Sequence, residues 1–324
     1  MKVCIVGAGA IGGWLGVQLA QAGSELSVLA RGATLEALRT RGLTLHSSAG
    51  SMTVPVRASA DARDLGAQDL VVVAVKAPAM AQVADSLAPL LGPPTVVLTA
   101  MNGVPWWFFD GFGGRFAGTR LQAVDPDGSI ARAIPASNIV GCVVHASCSV
   151  DAPGEARHHF GGKLIVGEPS GEKTQRVQQL VAFLQAAGLE TVLSDQIQRD
   201  IWFKLWGNMT INPVSALTGA TSDLILGDDL VRGFVGSVML EAREIGARLG
   251  IPIDQRPQDR HQVTLKLGAF KTSMLQDVEA GKPVELDALV AVVRELGVLT
   301  GVATPFTDAL LGLARLHARV RGLY

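Results

Sequence analysis

Residues 1–31 read MKVCIVGAGAIGGWLGVQLAQAGSELSVLAR. An apolar run over 2–6 leads into Gly7-Ala8-Gly9-Ala10-Ile11-Gly12. A helix-like segment continues to Ala22, Gly23 closes it, and a second apolar run over 25–30 ends at Arg31. Strand, glycine-rich turn, helix and strand is the order a dinucleotide site requires, and the G-x-G-x-x-G stands in that context here. Gly7 permits the tight turn. Gly9 lets the backbone approach a pyrophosphate resting on the N–H groups and positive end of the helix, and Gly12 lets that helix pack closely on the strand. With glycine at 37 of 324 positions, the hexapeptide alone says little; its place between two strands makes it informative. Gly7, Ala8, Gly9, Ala10, Ile11 and Gly12 are therefore the expected cofactor loop. A secretory signal would need a continuous apolar helix, and glycines at 7, 9, 12, 13 and 16 suit a turn instead.

The second strand indicates which dinucleotide. An NAD site usually ends that strand in Asp or Glu, which accepts hydrogen bonds from the ribose 2′-OH. Here it ends Leu29-Ala30-Arg31-Gly32, with no carboxylate. A guanidinium at Arg31 suits a 2′-phosphate, so the expected cofactor is NADPH/NADP.

Length and composition bound the rest. A chain of 324 residues suits one large or two ordinary domains, and 48% apolar residues allow a sizeable core. A net charge of −1 gives no general attraction to nucleic acid or anionic membrane. No apolar run reaches the roughly 20 residues that span a bilayer. The cysteines (Cys4, Cys142, Cys148) are odd in number, and Cys4 falls in the first strand, which argues against a disulfide framework and for a reduced, cytoplasmic protein.

Along the chain, 34–41 reads as a short helix and 43–46 with 52–56 as a hairpin. Residues 69–75 form a near-continuous apolar run, as a buried parallel strand should. It ends at Lys76-Ala77-Pro78, with a helix expected to about 91. The next strand, 95–100, closes at Met101-Asn102-Gly103. Ligands bind where such strands end, so Lys76 is read as a phosphate contact or a solvated loop lysine, and Asn102 as a site residue or an Asn-Gly turn. Residues 105–135 look irregular; Asp125-Pro126-Asp127-Gly128 lacks the glutamate that ends an EF-hand loop. A long hairpin is expected over 139–149 and 156–166. Its adjacent His158 and His159 point to opposite faces and share no metal; no metal is expected. A helix over 172–187 and a strand over 189–193 complete this part.

From about 194 onward everything reads as helix: 197–217, 228–249, 259–270, 273–280, 286–299 and 305–320. Alternating strands and helices followed by helices alone mark an α/β Rossmann-type dinucleotide-binding domain, 1–195, and an all-α C-terminal domain, 196–324. The substrate is expected in the cleft between them. Helix 197–217 carries the clearest chemistry. Lys204, Asn208 and Asn212 recur every four residues and share one face, amid Ile201, Trp202, Phe203, Leu205, Trp206, Met209 and Ile211. Two amides and one ammonium among bulky apolar groups read as a polar strip on a partly enclosed site. Desolvation would bring such a lysine toward neutral pKa, as a proton donor needs. Taken alone, Ser273 reads as an N-cap and Glu285 as an acid in a first helical turn.

Taken together these blocks resemble the 2-dehydropantoate 2-reductase (ketopantoate reductase) family. The resemblance rests on the Gly7–Gly12 fingerprint ending in Arg31, Ala74-Val75-Lys76, Asn102-Gly103, Lys204-Leu205-Trp206-Gly207-Asn208 with Ile211-Asn212-Pro213, and Ser273-Met274-Leu275-Gln276-Asp277 followed by Glu285-Leu286-Asp287. It implies NADPH-dependent reduction of ketopantoate to pantoate, the precursor of pantothenate and coenzyme A. By the same resemblance Lys204 is the general acid, Asn102 sits near the nicotinamide and Lys204, and Glu285 holds Lys204 or the substrate. Asn208, Asn212 and Ser273 orient the substrate, and Arg31 and Lys76 contact the cofactor phosphates.

The departure from the family pattern is 105–135, which is long and places Trp106 and Trp107 directly after Asn102-Gly103. Bulky rings at the cleft edge are expected to reshape the pocket for a different 2-oxo acid. Two rival readings stand: an NADP-dependent dehydrogenase of the same plan acting on another oxo or hydroxy acid, and a non-catalytic NADPH-binding sensor. The apolar C-terminal helices either pack within their domain or form a homodimer.

Overall fold

The computed structural model describes all 324 residues in two compact units. One comprises residues 1–101, 106–120 and 127–197; the other comprises 102–105, 121–126 and 198–324. The architecture is the expected one, a mixed α/β sheet unit followed by a helical one.

The first unit is built on a ten-stranded sheet of β1 (Lys2–Val6), β2 (Glu25–Leu29), β3 (Leu43–Ser47), β4 (Gly50–Val54), β5 (Arg57–Ser59), β6 (Leu70–Val73), β7 (Val96–Thr99), β8 (Ile139–Ala152), β9 (Glu155–Gly167) and β10 (Glu190–Leu193). The order is β4-β3-β9-β8-β7-β6-β1-β2-β5, with β10 also beside β9. From β5 through β8 neighbours run parallel; β8–β9 and β3–β4 are antiparallel hairpins. β4 and β5 stand at opposite ends of this order, yet only Pro55 and Val56 separate them. Three Cα steps span at most about 11 Å, so the sheet must curl until its two edges approach. Helix α1 (Ala10–Gln21) packs on β1, β3, β8 and β9, which explains why Gly12, Gly13, Trp14, Leu15, Gly16, Val17 and Leu19 are all buried. A helix apolar all round is one enclosed on all sides.

Helices α2 (Gly32–Arg41), α3 (Met80–Ala84), α4 (Ser129–Ala133) and α5 (Gln175–Ala186) complete the unit. The single helix expected to follow Pro78 is instead α3 flanked by 3-10 turns at Ala77–Ala79 and Asp85–Leu90. Pro89, which has no N–H for the helical ladder, lies in the second turn. β5 was not anticipated: Arg57-Ala58-Ser59 is too short to show a pattern. In the hairpin, His158 stacks on Trp14 at 5.6 Å while His159 faces Ser149 at 2.9 Å, on opposite sides as strand geometry requires. All three cysteines are free, and burial pushes the Cys4 thiol up to about 11.

Trp106 and Trp107 do not edge a cleft. They are 5% and 1% exposed, and Phe108 and Phe109 are fully buried. The Trp107 ring lies where any side chain at Gly141 would stand, and Phe108, Phe109, Phe112 and Phe116 pack together, stacked or edge to face, with ring centroids 5.2 to 5.9 Å apart. The aromatic run is a core of the sheet unit, where its large apolar area is best removed from water.

The second unit contains α6 (Ile197–Thr218) from Gln198 onward, α7 (Ser222–Gly227), α8 (Asp229–Leu249), α9 (Pro257–Leu265), α10 (Ser273–Glu279), α11 (Val292–Thr300) and α12 (Pro305–Val320). α7 was not expected, and α9 stops short of the anticipated 270. α11 is entered through a π-helical turn, Asp287–Ala291. On α12, Thr307, Leu310, Leu311, Ala314 and Ala318 face inward, while Phe306, Leu313, Leu316 and Val320 form an exposed apolar stripe. No helix is long and apolar enough to cross a membrane.

Candidate active site

In the sheet unit the carboxyl ends of β2, β1 and β6 lie side by side, because the three strands are parallel. Arg31 follows β2, the glycine loop follows β1, and Lys76 follows β6. Gly7 adopts φ +94°, and a Cβ there would stand 2.7 Å from Val75 Cγ1. A Cβ on Gly12 would stand 2.1 Å from the Gly7 carbonyl oxygen, so the turn closes only without side chains at both positions. Above Gly9, by contrast, the space is open.

Gly9 is the N-cap of α1, with no side-chain cap and no acid in the first turn. The first N–H groups of a helix have no partner within it; here they meet no capping side chain or acid of the first turn at the positive end of the helix dipole. That arrangement suits a diphosphate. Arg31, exposed at the head of α2, spends no side-chain bond on capping that helix. Val6 pairs with Leu29, so Arg31 follows the strand beside the one that leads into the glycine loop.

In the helical unit α6 presents the polar strip. Lys204 and Asn208 are half-buried and Asn212 is 8% exposed, while Ile201, Trp202, Leu205, Trp206, Met209 and Ile211 are buried around them. Neither asparagine amide is bonded to a backbone group, so both keep their hydrogen-bonding capacity for the open side. Lys204 Nζ donates to Asn102 Oδ1 at 2.8 Å. The loop bearing Asn102 is held in turn by the π-helical turn. The Val104 N–H donates to the Ala288 carbonyl at 2.9 Å, and Gly103, at φ +83°, approaches that carbonyl where a Cβ would stand at 2.4 Å. Asn102-Gly103 is thus more than a turn: it is clamped so that the amide oxygen meets the ammonium.

Glu285 lies two residues before that π-helical turn and is 7% exposed, a buried carboxylate rather than a solvated first-turn acid. Ser273 is not the cap of α10. Thr272 is, its hydroxyl accepting from the Leu275 N–H at 3.2 Å, which leaves the exposed Ser273 hydroxyl uncommitted to capping. The unit thus brings Lys204 and Asn102 into contact. It places Glu285 two residues before the turn that clamps the Asn102 loop, and Asn208 and Asn212 on the Lys204 face. The Ala288 carbonyl had no counterpart in the sequence reading, since a backbone group carries no residue-type signal.

The sequence profile of the ketopantoate reductase PanE/ApbA family matches residues 3–107, and that of its C-terminal domain matches 196–318. A 2-dehydropantoate 2-reductase of Mesorhizobium japonicum is 48% identical over the full length of both chains. The chain belongs to the ketopantoate reductase family. Among solved structures, a candidate ketopantoate reductase of Ralstonia solanacearum superposes with TM-score 0.96 at 59% identity, covering 100% of this chain and 99% of that one. The 2-dehydropantoate 2-reductase of Geobacter metallireducens gives 0.85 at 29%, covering 98% and 99%. As a member of the ketopantoate reductases, the chain is an oxidoreductase.

Proposed function

We propose that this chain reduces 2-dehydropantoate (ketopantoate) to pantoate with NADPH, feeding pantothenate and coenzyme A synthesis in the cytoplasm. The observation that carries this reading is the hydrogen bond from Lys204 to Asn102 within the helical unit of a ketopantoate reductase family member. Residues 1–195 are assigned to cofactor binding and 196–324 to the substrate. Bound, NADPH supplies a hydride to C2 of the substrate.

The chain's own residues do the rest. The Gly7–Gly12 backbone holds the pyrophosphate, while Lys76 and Arg31 contact the cofactor phosphates, Arg31 taking the 2′-phosphate. Lys204 donates to Asn102, which orients the ammonium group. That ammonium donates to the substrate's keto oxygen, stabilises the negative charge that grows there, and passes a proton to the alkoxide. Asn208, Asn212 and Ser273 hold the substrate's other polar groups, and Glu285 holds Lys204 or the substrate.

The exposed stripe on α12, Phe306, Leu313, Leu316 and Val320, is spaced as a coiled-coil seam and suits a second copy of itself. The assembly is accordingly read as a homodimer.

The test is NADPH consumption with ketopantoate beside a panel of other 2-oxo acids. Turnover favouring ketopantoate is expected. Turnover on another acid alone moves the substrate and keeps the mechanism. Tight NADPH binding with no turnover on any acid would leave a sensor in place of an enzyme.

A further inference from the structure

One cation of the helical unit lies outside the site described so far. Arg260, on α9, is turned inward against α6. Its Cζ lies 5.5 Å from the centroid of the Phe203 ring. Its Nε and Nη2 stand 2.9 and 3.1 Å from where a Cβ on Gly207 would be. The Nε is sealed from solvent and makes no hydrogen bond. The neighbouring acid on its own helix, Asp259, pairs with Arg256 instead. Burial alone displaces the Arg260 pKa, downward, with no acid offsetting it.

Arg260 is partly exposed, but the buried part of its guanidinium has no counter-charge, which is unfavourable, and a ring face returns only part of the loss. The fold nevertheless makes room for it. Gly207 interrupts a helix interior, where glycine is a poor choice, and the guanidinium packs on that bare stretch of backbone, its Nε 2.9 Å from where a Cβ would stand. A cation seated there with no acid paired to it suits a neutralising group from outside.

Helix geometry indicates where that group would lie. Gly207 is three residues beyond Lys204, hence about 60° round α6 and about 4.5 Å along it. Arg260 therefore borders the strip that carries the proton donor. In a 2-oxo acid the carboxylate is bonded directly to the keto carbon, so both must be met by neighbouring groups. Lys204 suits the keto oxygen as a point donor. A guanidinium, a planar fork of parallel N–H groups, suits a carboxylate. Asn208, Asn212 and Ser273 can hydrogen-bond a carboxylate but cannot neutralise it.

We propose that Arg260 binds the substrate's carboxylate and sets the enzyme's preference for acids over neutral 2-oxo compounds. This rests on the 2-oxo acid reading above. The experiment compares KM and kcat for a 2-oxo acid and for its neutral amide in the wild-type protein, Arg260→Gln and Arg260→Lys, with melting temperature and NADPH binding as controls. In Arg260→Gln, loss of a charged hydrogen-bonding partner should raise KM for the acid about 10- to 100-fold. KM for the amide should move little and kcat only a few-fold, so the acid-to-amide preference collapses. Arg260→Lys, with the charge but not the fork, should fall between.

If Arg260→Gln folds and keeps the wild-type acid-to-amide ratio, the proposal is overturned. If that variant does not fold, Arg260→Lys decides: a selective KM rise for the acid supports the proposal, and equal loss on both substrates overturns it. A wild-type protein inert toward every 2-oxo acid overturns the oxo-acid reading and the proposal with it. A wild-type protein active on acids, with an unmoved ratio in the variants, overturns the proposal alone.

Discussion

Helices α1 and α6 are both apolar along most of their length, and each carries a candidate binding feature of its own unit, but in opposite ways. α1 works through its backbone. Its contribution is the set of N–H groups after Gly9, exposed because glycines let the turn close and the helix sink into the sheet. α6 works through side chains, holding Lys204, Asn208 and Asn212 on one face while its bulky residues anchor the helix. A backbone site is damaged by adding atoms and a side-chain site by removing them. The first injury also strains the fold, whereas the second leaves it standing.

That contrast is tested most strongly at Lys204. Lys204→Ala should lower kcat by about 10²–10⁴-fold, the usual worth of acid catalysis, with melting temperature and NADPH affinity unchanged. Near-normal turnover would remove Lys204 from the mechanism, and a large drop in melting temperature would make α6 a structural element instead. On α1 the pattern should reverse. Gly12→Ala forces a methyl to within 2.1 Å of the Gly7 carbonyl oxygen. Such overpacking costs about 1–3 kcal/mol, visible as a melting temperature several degrees lower, and NADPH binding measured by fluorescence titration should weaken in step. Unimpaired binding would mean that the loop is not the phosphate cradle. The smallest effect belongs to Arg31, an exposed group whose contribution is screened by salt. Arg31→Ala should reduce the NADPH-over-NADH preference about tenfold at low ionic strength and less at high. A preference identical in both proteins would leave the 2′-phosphate to another residue.

The two helices also differ in how they could be read. The glycine loop was legible because its requirements are local: a glycine where φ is positive, a glycine where a carbonyl lies 2.1 Å from a would-be Cβ, and flanking strands. The Lys204 strip was legible by period, since every fourth residue returns to one face. Trp106 and Trp107 misled, because a large aromatic ring reads the same in sequence whether it lines a pocket or fills a core. Only their neighbours, Gly141 and the phenylalanine cluster, place them inside. Taken alone, Ser273 reads as a cap because serine caps helices well, whereas the resemblance gives it to the substrate; the cap is in fact Thr272, one residue earlier.

What the sequence determined by itself, then, is everything carried by short-range geometry: the α/β unit followed by helices, the glycine loop, and the shared face of Lys204, Asn208 and Asn212. What tertiary structure alone decided is everything that depends on partners distant in the chain. Asn102 meets Lys204 across 102 positions because a π-helical turn near residue 288 grips the Asn102 loop. Two edges of a sheet approach because two residues must connect them. Arg260 packs on a glycine 53 positions earlier, at 207. Local steric rules are written residue by residue, whereas burial and charge pairing arise from what the fold brings alongside.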